Sequence, residues 1–277
     1  AWYKPTRVLH IVSGGEYGWR RGTGKWPAYY TDSLPAACDV GLGSPTGVGF
    51  GYDSDFPKKW RESLFIADWS YGRLLAVQLR PDGATYTGTE ETFLSGRPLN
   101  LTDFVFHGGD LWFITGGRRT QSALYRVSWN GEPEKPDPLN YKGFDDGSLR
   151  ALRHQLERYH TEQDQAGTKL ALTNLDHPDR FIRFAARVAL ENQALFKWET
   201  EVIRSGSPDG LLALARVGTP ASQADLVEAV CESIKQGQVD DQTLLTFLRA
   251  LQISFIRQGE PKKGTLIIVN DTLNRLY

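Results

Sequence analysis

A change of apolar period near residue 130 limits the fold of this chain more than any other feature. Up to Trp129 the apolar residues come in short alternating runs, "RVLHIV", "TGVGFGY", "SLFIAD", "RLLAVQL", "TDFVFH", "DLWFIT" and "ALYRVSW", separated by turn residues. Alternation puts every second side chain on one face of a strand, so this stretch reads as all-β. After "NGEPEKPDPLN" (130–140) the period becomes 3.6. Helices are expected over 148–160, 165–174, 179–192, 195–204, 208–216, 221–236 and 241–257, with a last one running to Tyr277. Of the 28 glycines 21 precede residue 150, as do seven of the eight tryptophans, which makes the shift a domain boundary. The expected organisation is a β domain over 1–129, a proline-rich linker over 130–147 and a helical domain over 148–277.

The β half repeats itself. "SPTGVGF…ESLFIADWSYGRLLAVQL" and "LNLTDFVFHGGDLWFITGGRRTQSALYRVSW" carry the same order of strand, strand, polar loop and strand, with Thr46 matched to Thr102 and Arg73 to about Leu124. The spacing is near the ~40–50 residues of a propeller blade, so the expectation is a partial β-propeller of four-stranded blades, open at its edges. "RPDGA" (80–84) and "HGGD" (107–110) read as hairpin turns. The helical half has one especially clear unit, "LDHPDRFIRFAARVALEN" (175–192), with Ile182, Ala185, Ala186, Ala189 and Leu190 on one stripe. Paired helices with small residues that permit close approach point to an α-solenoid.

The glycine-rich "SGGEYGWRRGTGKWP" (13–27) is not a phosphate loop. Gly18 stands one residue too far from Gly24-Lys25, and Trp26 occupies the hydroxyl position. It reads instead as an inter-strand excursion with aromatics packing between blades. Lys+Arg 32 against Asp+Glu 33 gives a formal charge of -1, no field to draw in nucleic acid. No apolar run approaches the ~20 residues of a membrane span. Cys38 and Cys231 lie in different halves and form neither a disulfide framework nor a CxxC or CxxCH motif. The absence of Met, even at position 1, and an opening inside a strand-like run read as a piece of a longer chain.

"HIVSGGEYGW", "SPTGVGFGYDSDFPKKWRESLFIADWSYGRLLAVQL" and "LTDFVFHGGDLWFIT…ALYRV" resemble the last blades of glucose/sorbosone dehydrogenase-like six-bladed propellers, the group that includes the pyrroloquinoline quinone (PQQ)-dependent sugar dehydrogenases. "HPDRFIRFAARVALE" resembles a HEAT repeat, and the combination is similar to large exported proteins of planctomycete type that often end in a cytochrome c domain. The resemblance implies export to the periplasm or beyond, a sugar-like substrate, PQQ as cofactor, and a haem c domain past Tyr277. In that family, lysine and arginines of these blades hold the quinone's carboxylates, and the base histidine comes from an earlier blade. Here the lysine position carries Ser70 or Tyr71, and "NLTD" (100–103) stands for an Arg-x-Arg-Asp run, keeping Asp103.

In a blade with strands running outward from the axis, the second-to-third-strand loop and the connection to the next blade open on one face. This gathers residues 44–46, 68–71, 100–103 and 116–120 around a channel mouth. The site residues expected there are Asp68, Trp69, Tyr71, Thr102, Asp103, Arg118 and Arg119: guanidinia that could fork onto a carboxylate, and rings that could stack on a sugar or planar cofactor. Against this, loop aspartates most often bond neighbouring backbone amides, and Trp69 could serve blade packing. His10 and His107 read as structural, and His154, His160 and His177 lack metal-binding i,i+4 spacing, so no metal is expected. Adjacent residues in a strand point to opposite faces, so Glu90-Glu91 cannot flank one bond, and Asp145-Asp146 and Asp240-Asp241 read as linker and helix N-terminal charges. Two functions follow: a quinone-dependent sugar or alcohol dehydrogenase feeding a cytochrome, or a non-catalytic scaffold binding carbohydrate or a protein along the helices. A hydrolase or lactonase is a third.

Overall fold

The computed structural model describes residues 5–18, 29–117, 119–132, 148–237 and 239–276. The chain forms two compact units, each discontinuous in sequence: residues 1–10 with 36–143, and residues 11–35 with 144–277.

The first unit is β-rich. Strands β1 (Pro5–Val8) and β2 (Cys38–Leu42) pair antiparallel. A second sheet runs in the order β3 (Pro45–Phe50), β4 (Leu64–Asp68), β5 (Arg73–Asp82) and β6 (Thr85–Ser95), with the short helix α1 (Lys58–Arg61) before β4. A third contains β7 (Leu101–His107), β8 (Asp110–Gly117) and β9 (Thr120–Val127). In β5 the run Leu74, Leu75, Ala76 and Val77 is buried throughout, because both faces of the middle sheet are covered. Leu74 and Ala76 join Phe56, Phe65, Leu101, Leu111 and Phe113 on one side, while Leu75 and Val77 join Cys38, Val40 and Ile66 on the other. Fully burying Phe65 or Leu74 contributes about 1.5–3 kcal/mol each. The hairpins at Asp82–Thr85 and His107–Asp110 turn through Gly83 (φ 54°) and through Gly108 and Gly109 (φ 61° and 84°), backbone that glycine adopts without steric cost.

The second unit is helical: α2 (Leu149–Arg158), α3 (Gln165–Asn174), α4 (Arg180–Glu191), α5 (Glu199–Ser205), α6 (Pro208–Val217), α7 (Gln223–Lys235), α8 (Asp241–Arg257) and α9 (Lys263–Leu273). Five of these start where a side chain takes up an orphan backbone N–H: Ser148, Asp164, Asp179, Ser207 and Asp240 accept from Ala151, Gly167, Phe181 and Ile182, Gly210 and Thr243. Helix α4 packs on α2, α3 and α6, and α6 packs in turn on α8. Leu211 to Ala215 are fully buried, so α6 is the helix the others surround.

These observations correct the expected fold class. Among the described residues there are three open antiparallel sheets of two, four and three strands, none closed, so the architecture is not a partial propeller of four-stranded blades. The third strands of the two matched repeats begin at Arg73 and Thr120, four residues away from the expected Leu124 match. Helices of 7 to 17 residues, interrupted by 3-10 turns at Leu195–Lys197 and Pro220–Ser222, do not repeat as equal pairs, so no HEAT-like solenoid is identified either. The glycine-rich excursion is also relocated. Its described part, 13–18, belongs to the helical unit rather than between sheets, and 19–27 fall outside the described residues. Within the helical unit, Ser13 Oγ bonds His160 Nδ1 at 2.8 Å and the Val12 amide donates to the Tyr17 hydroxyl at 2.9 Å.

Candidate functional site

Four connections of the β unit meet at one end of its sheets, and each is held there by named hydrogen bonds. Asp68 closes β4 with its carboxylate buried at 3% exposure. Its Oδ1 accepts from the amides of Ser44 (2.9 Å), Ser70 (3.1 Å) and Tyr71 (3.4 Å), and its Oδ2 accepts from Arg73 Nε at 2.9 Å. Gly43 lies so close that a Cβ there would be 2.8 Å from Oδ2. The turn that follows needs Gly72 (φ 63°), where a Cβ would sit 2.5 Å from the Gly96 carbonyl. Trp69 donates from Nε1 to the Gly116 carbonyl at 2.8 Å, and its own carbonyl accepts from Asn100 Nδ2 at 2.9 Å. The Gly116 amide donates back to Asn100, and Thr46 Oγ1 donates to Leu101. The loops at 44–46, 68–71 and 100–103 and the glycines 116–117 are therefore adjacent.

The expected site residues fare differently within this cluster. Asp68 is a turn-builder with both oxygens committed. Trp69 and Thr102 line a shallow open hollow with Ile114, Thr115 and Leu124, and Gly117 sits against the Trp69 ring. Thr102 Oγ1 donates to the Ile114 carbonyl. Tyr71 is 45% exposed with the Arg73 guanidinium 5.2 Å from its ring centre. Asp103 is exposed at a bulge of β7 and accepts from the Phe104 amide. Arg119 occupies the β8–β9 turn at φ 65°, the one non-glycine residue with positive φ among the described residues. Arg118 lies outside the described residues.

A quinone held through its carboxylates needs several uncommitted basic side chains converging on it. The cluster instead gathers Asp68 and Asp103, with Arg73 donating to Asp68 and to the Leu42 carbonyl (Nη2, 2.9 Å). Arg119 stands on an exposed turn. These residues do not fit PQQ. Among the described residues no group of three or more His, Cys, Asp or Glu is placed to hold a metal ion, and no helix is long and apolar enough to cross a membrane.

The helical unit contains a second concentration of polar groups, which sequence reasoning missed. A cleft of about 260 Å³ is lined by Asp176 from the α3–α4 turn, Arg180 and Arg183 from α4, Asp209 from α6, Asp240 at the start of α8, and Thr31. Arg183 Nη1 donates to the carbonyls of His177 and Pro178 at 2.7 and 2.9 Å, and its Nε lies 3.4 Å from Asp209 Oδ2. Arg180 donates to the carbonyls of Tyr30 and Ser33. Asp176 Oδ1 accepts from Ser207 Oγ at 2.8 Å. Burial pushes the Asp209 carboxyl above the ordinary carboxylate range, against the pull of Arg187, Arg183 and Arg180; burial likewise lowers Arg180. The segment carrying Thr31 is strapped down by Arg249, whose Nε and Nη2 lie 2.9 and 2.7 Å from Asp32 Oδ2, and by Gln242, which donates to the Tyr29 carbonyl. One signal for this cleft was present in "DHPDRFIR", where Asp176, Arg180 and Arg183 are spaced to share a helix-start face.

No family model matches the chain, and neither a curated protein nor a solved structure does.

Proposed function

We propose that this chain is a non-catalytic binding module that holds its partner in the charged cleft of the helical unit. The supporting observation is that the cleft draws carboxylates, guanidinia and hydroxyls from four separate segments into one small hollow. In the β unit's loop cluster, by contrast, the buried carboxylate is fully engaged by its own turn. A sugar dehydrogenase needs side chains available to a cofactor and a substrate, and the resemblance that suggested one rests on loops whose buried carboxylate and indole N–H are occupied in joining strands.

The test is a side-by-side measurement on the whole chain. A peptide array read with wild type and with Asp209→Asn should give hits that the substitution weakens. Turnover of an aldose by chain reconstituted with PQQ, abolished by a change at Trp69 or Arg119 and untouched by Asp209→Asn, would sink the binding reading.

A further inference from the structure

The cleft's own chemistry narrows what can enter it. Three carboxylates, Asp176, Asp209 and Asp240, face two guanidinia, so the lining carries one net negative charge when all are ionised. The guanidinia are also the less available partners. Arg180 is engaged by two backbone carbonyls of the strap, and Arg183 by two carbonyls of the α3–α4 turn as well as by Asp209. Asp176 and Asp209 each have one oxygen engaged, by Ser207 and by Arg183, and the other oxygen of each has no hydrogen-bonding partner among the described residues. An incoming anion would meet committed donors and surplus negative charge, whereas an incoming donor meets open acceptors.

A second, independent feature points the same way. Thr31 Oγ1 is buried and has no hydrogen-bond partner among the described residues, a costly state for a buried hydroxyl, and its lone pairs can accept from an arriving N–H. Thr31 lines both this cleft and an adjoining one, where the apolar surfaces of Tyr29, Tyr30, Leu245 and Leu248 meet Gln252 and Arg249, the latter neutralised by Asp32. The two tyrosine rings stack 5.5 Å apart, and the Arg249 guanidinium already lies 5.7 Å from the Tyr30 ring centre. A cationic head with an aliphatic stem would thus find acceptors for one end and apolar surface for the other. At about 260 Å³ the charged cleft is smaller than the ~300–1,000 Å³ of pockets for drug-sized ligands, so the group it receives is small.

We propose that the cleft binds an organic cation, an ammonium or guanidinium group on a short aliphatic stem, delivered as a free amine or as a basic side chain of a peptide. This rests on the binding-module reading above.

The experiment titrates the full chain at low ionic strength with agmatine, with a pentapeptide Ala-Ala-Arg-Ala-Ala and with glutarate, reading heat and carboxylate carbon shifts. Agmatine or the peptide should bind saturably, shifting the Asp176 and Asp209 signals, and the pair Asp176→Asn with Asp209→Asn should weaken binding about tenfold or more. Peptide binding tighter than agmatine identifies a side chain as the source; the reverse identifies a free amine. If the double variant fails to fold, Asp176→Asn alone at its exposed position serves the same purpose, with the carboxylate shifts as the second readout. Glutarate bound in place of the two cations would overturn the cation inference and leave the binding reading standing. If none of the probes moves those signals and a peptide array also gives no hit, both fall together.

Discussion

Two polar clusters occupy this molecule, and their carboxylates are used in opposite ways. At the loop end of the β unit, Asp68 is almost wholly buried and each oxygen is taken, by three amides and one guanidinium. In the helical cleft, Asp176 is exposed and gives one oxygen to Ser207, while Asp209, 14% exposed, gives one to Arg183. A charge whose bonding capacity is exhausted locally is part of the architecture; one left half-engaged at a hollow can still answer a visitor.

The contrast is sharpest in stability. Asp68→Ala takes the carboxylate from Arg73, which keeps the Leu42 carbonyl, and leaves three amides without their acceptor, and should cost about 3 kcal/mol, since each buried group left unsatisfied costs about 1–3 kcal/mol; denaturant melts of the β unit's tryptophan signal measure it. A loss under about 1 kcal/mol would mean water can replace the carboxylate. Trp69→Phe removes the Nε1 bond to Gly116 together with the indole atoms that lie against Gly117, so about 1–2 kcal/mol is expected in the same melts.

The helical unit should respond to acid instead. Burial lowers the His160 pKa from 6.5, so the unfolded chain takes up this proton first. The stability tied to neutral His160 is present above pH 6.5 and is lost as pH falls through the lower folded-state value. The melting temperature should drop over that interval, and His160→Gln should flatten the drop. Asp209 has the opposite sign. Its raised pKa means that stability is lost as pH rises through the folded-state value, so the two substitutions tilt the pH profile in different directions. Smallest of all is Asp176→Asn, whose amide oxygen can still accept from Ser207: a change within about 0.5 kcal/mol is expected. A large loss there would make Asp176 a second Asp68 and erase the distinction between the clusters.

Much of the local structure was legible because it follows from local rules. The helix spans given by the 3.6 period lie within a few residues of α2 to α4 and α6 to α8, since all of these but α7 begin at a side-chain cap such as Asp179 or Asp240. The turns at Gly83 and Gly108-Gly109 were visible from composition alone. How many strands share a sheet was not legible, because a register of alternating residues does not say where pairing stops. The meeting of the four loops was anticipated from strand order, and for Asp68 the sequence left amide bonding and ligand binding side by side as alternatives. Whether Asp68 faces a ligand or three amides depends on the Ser44 and Tyr71 backbone, which no periodicity encodes. The charged cleft escaped because Thr31 and Asp240 are about two hundred residues apart in sequence.

The excursion of residues 11–35 into the helical unit makes the molecule a split protein. A single cut between Trp129 and Ser148 would yield two polypeptides, but the first would still carry Asp32, Ser13 and the Tyr30 and Ser33 carbonyls to which Arg249, His160 and Arg180 of the second are bonded. Neither half is self-sufficient at those contacts. Expressed alone, the helices would lack the Asp32, Tyr30 and Ser33 acceptors that Arg249 and Arg180 use; co-expressed, the halves carry matching parts of one interior and should purify as a pair.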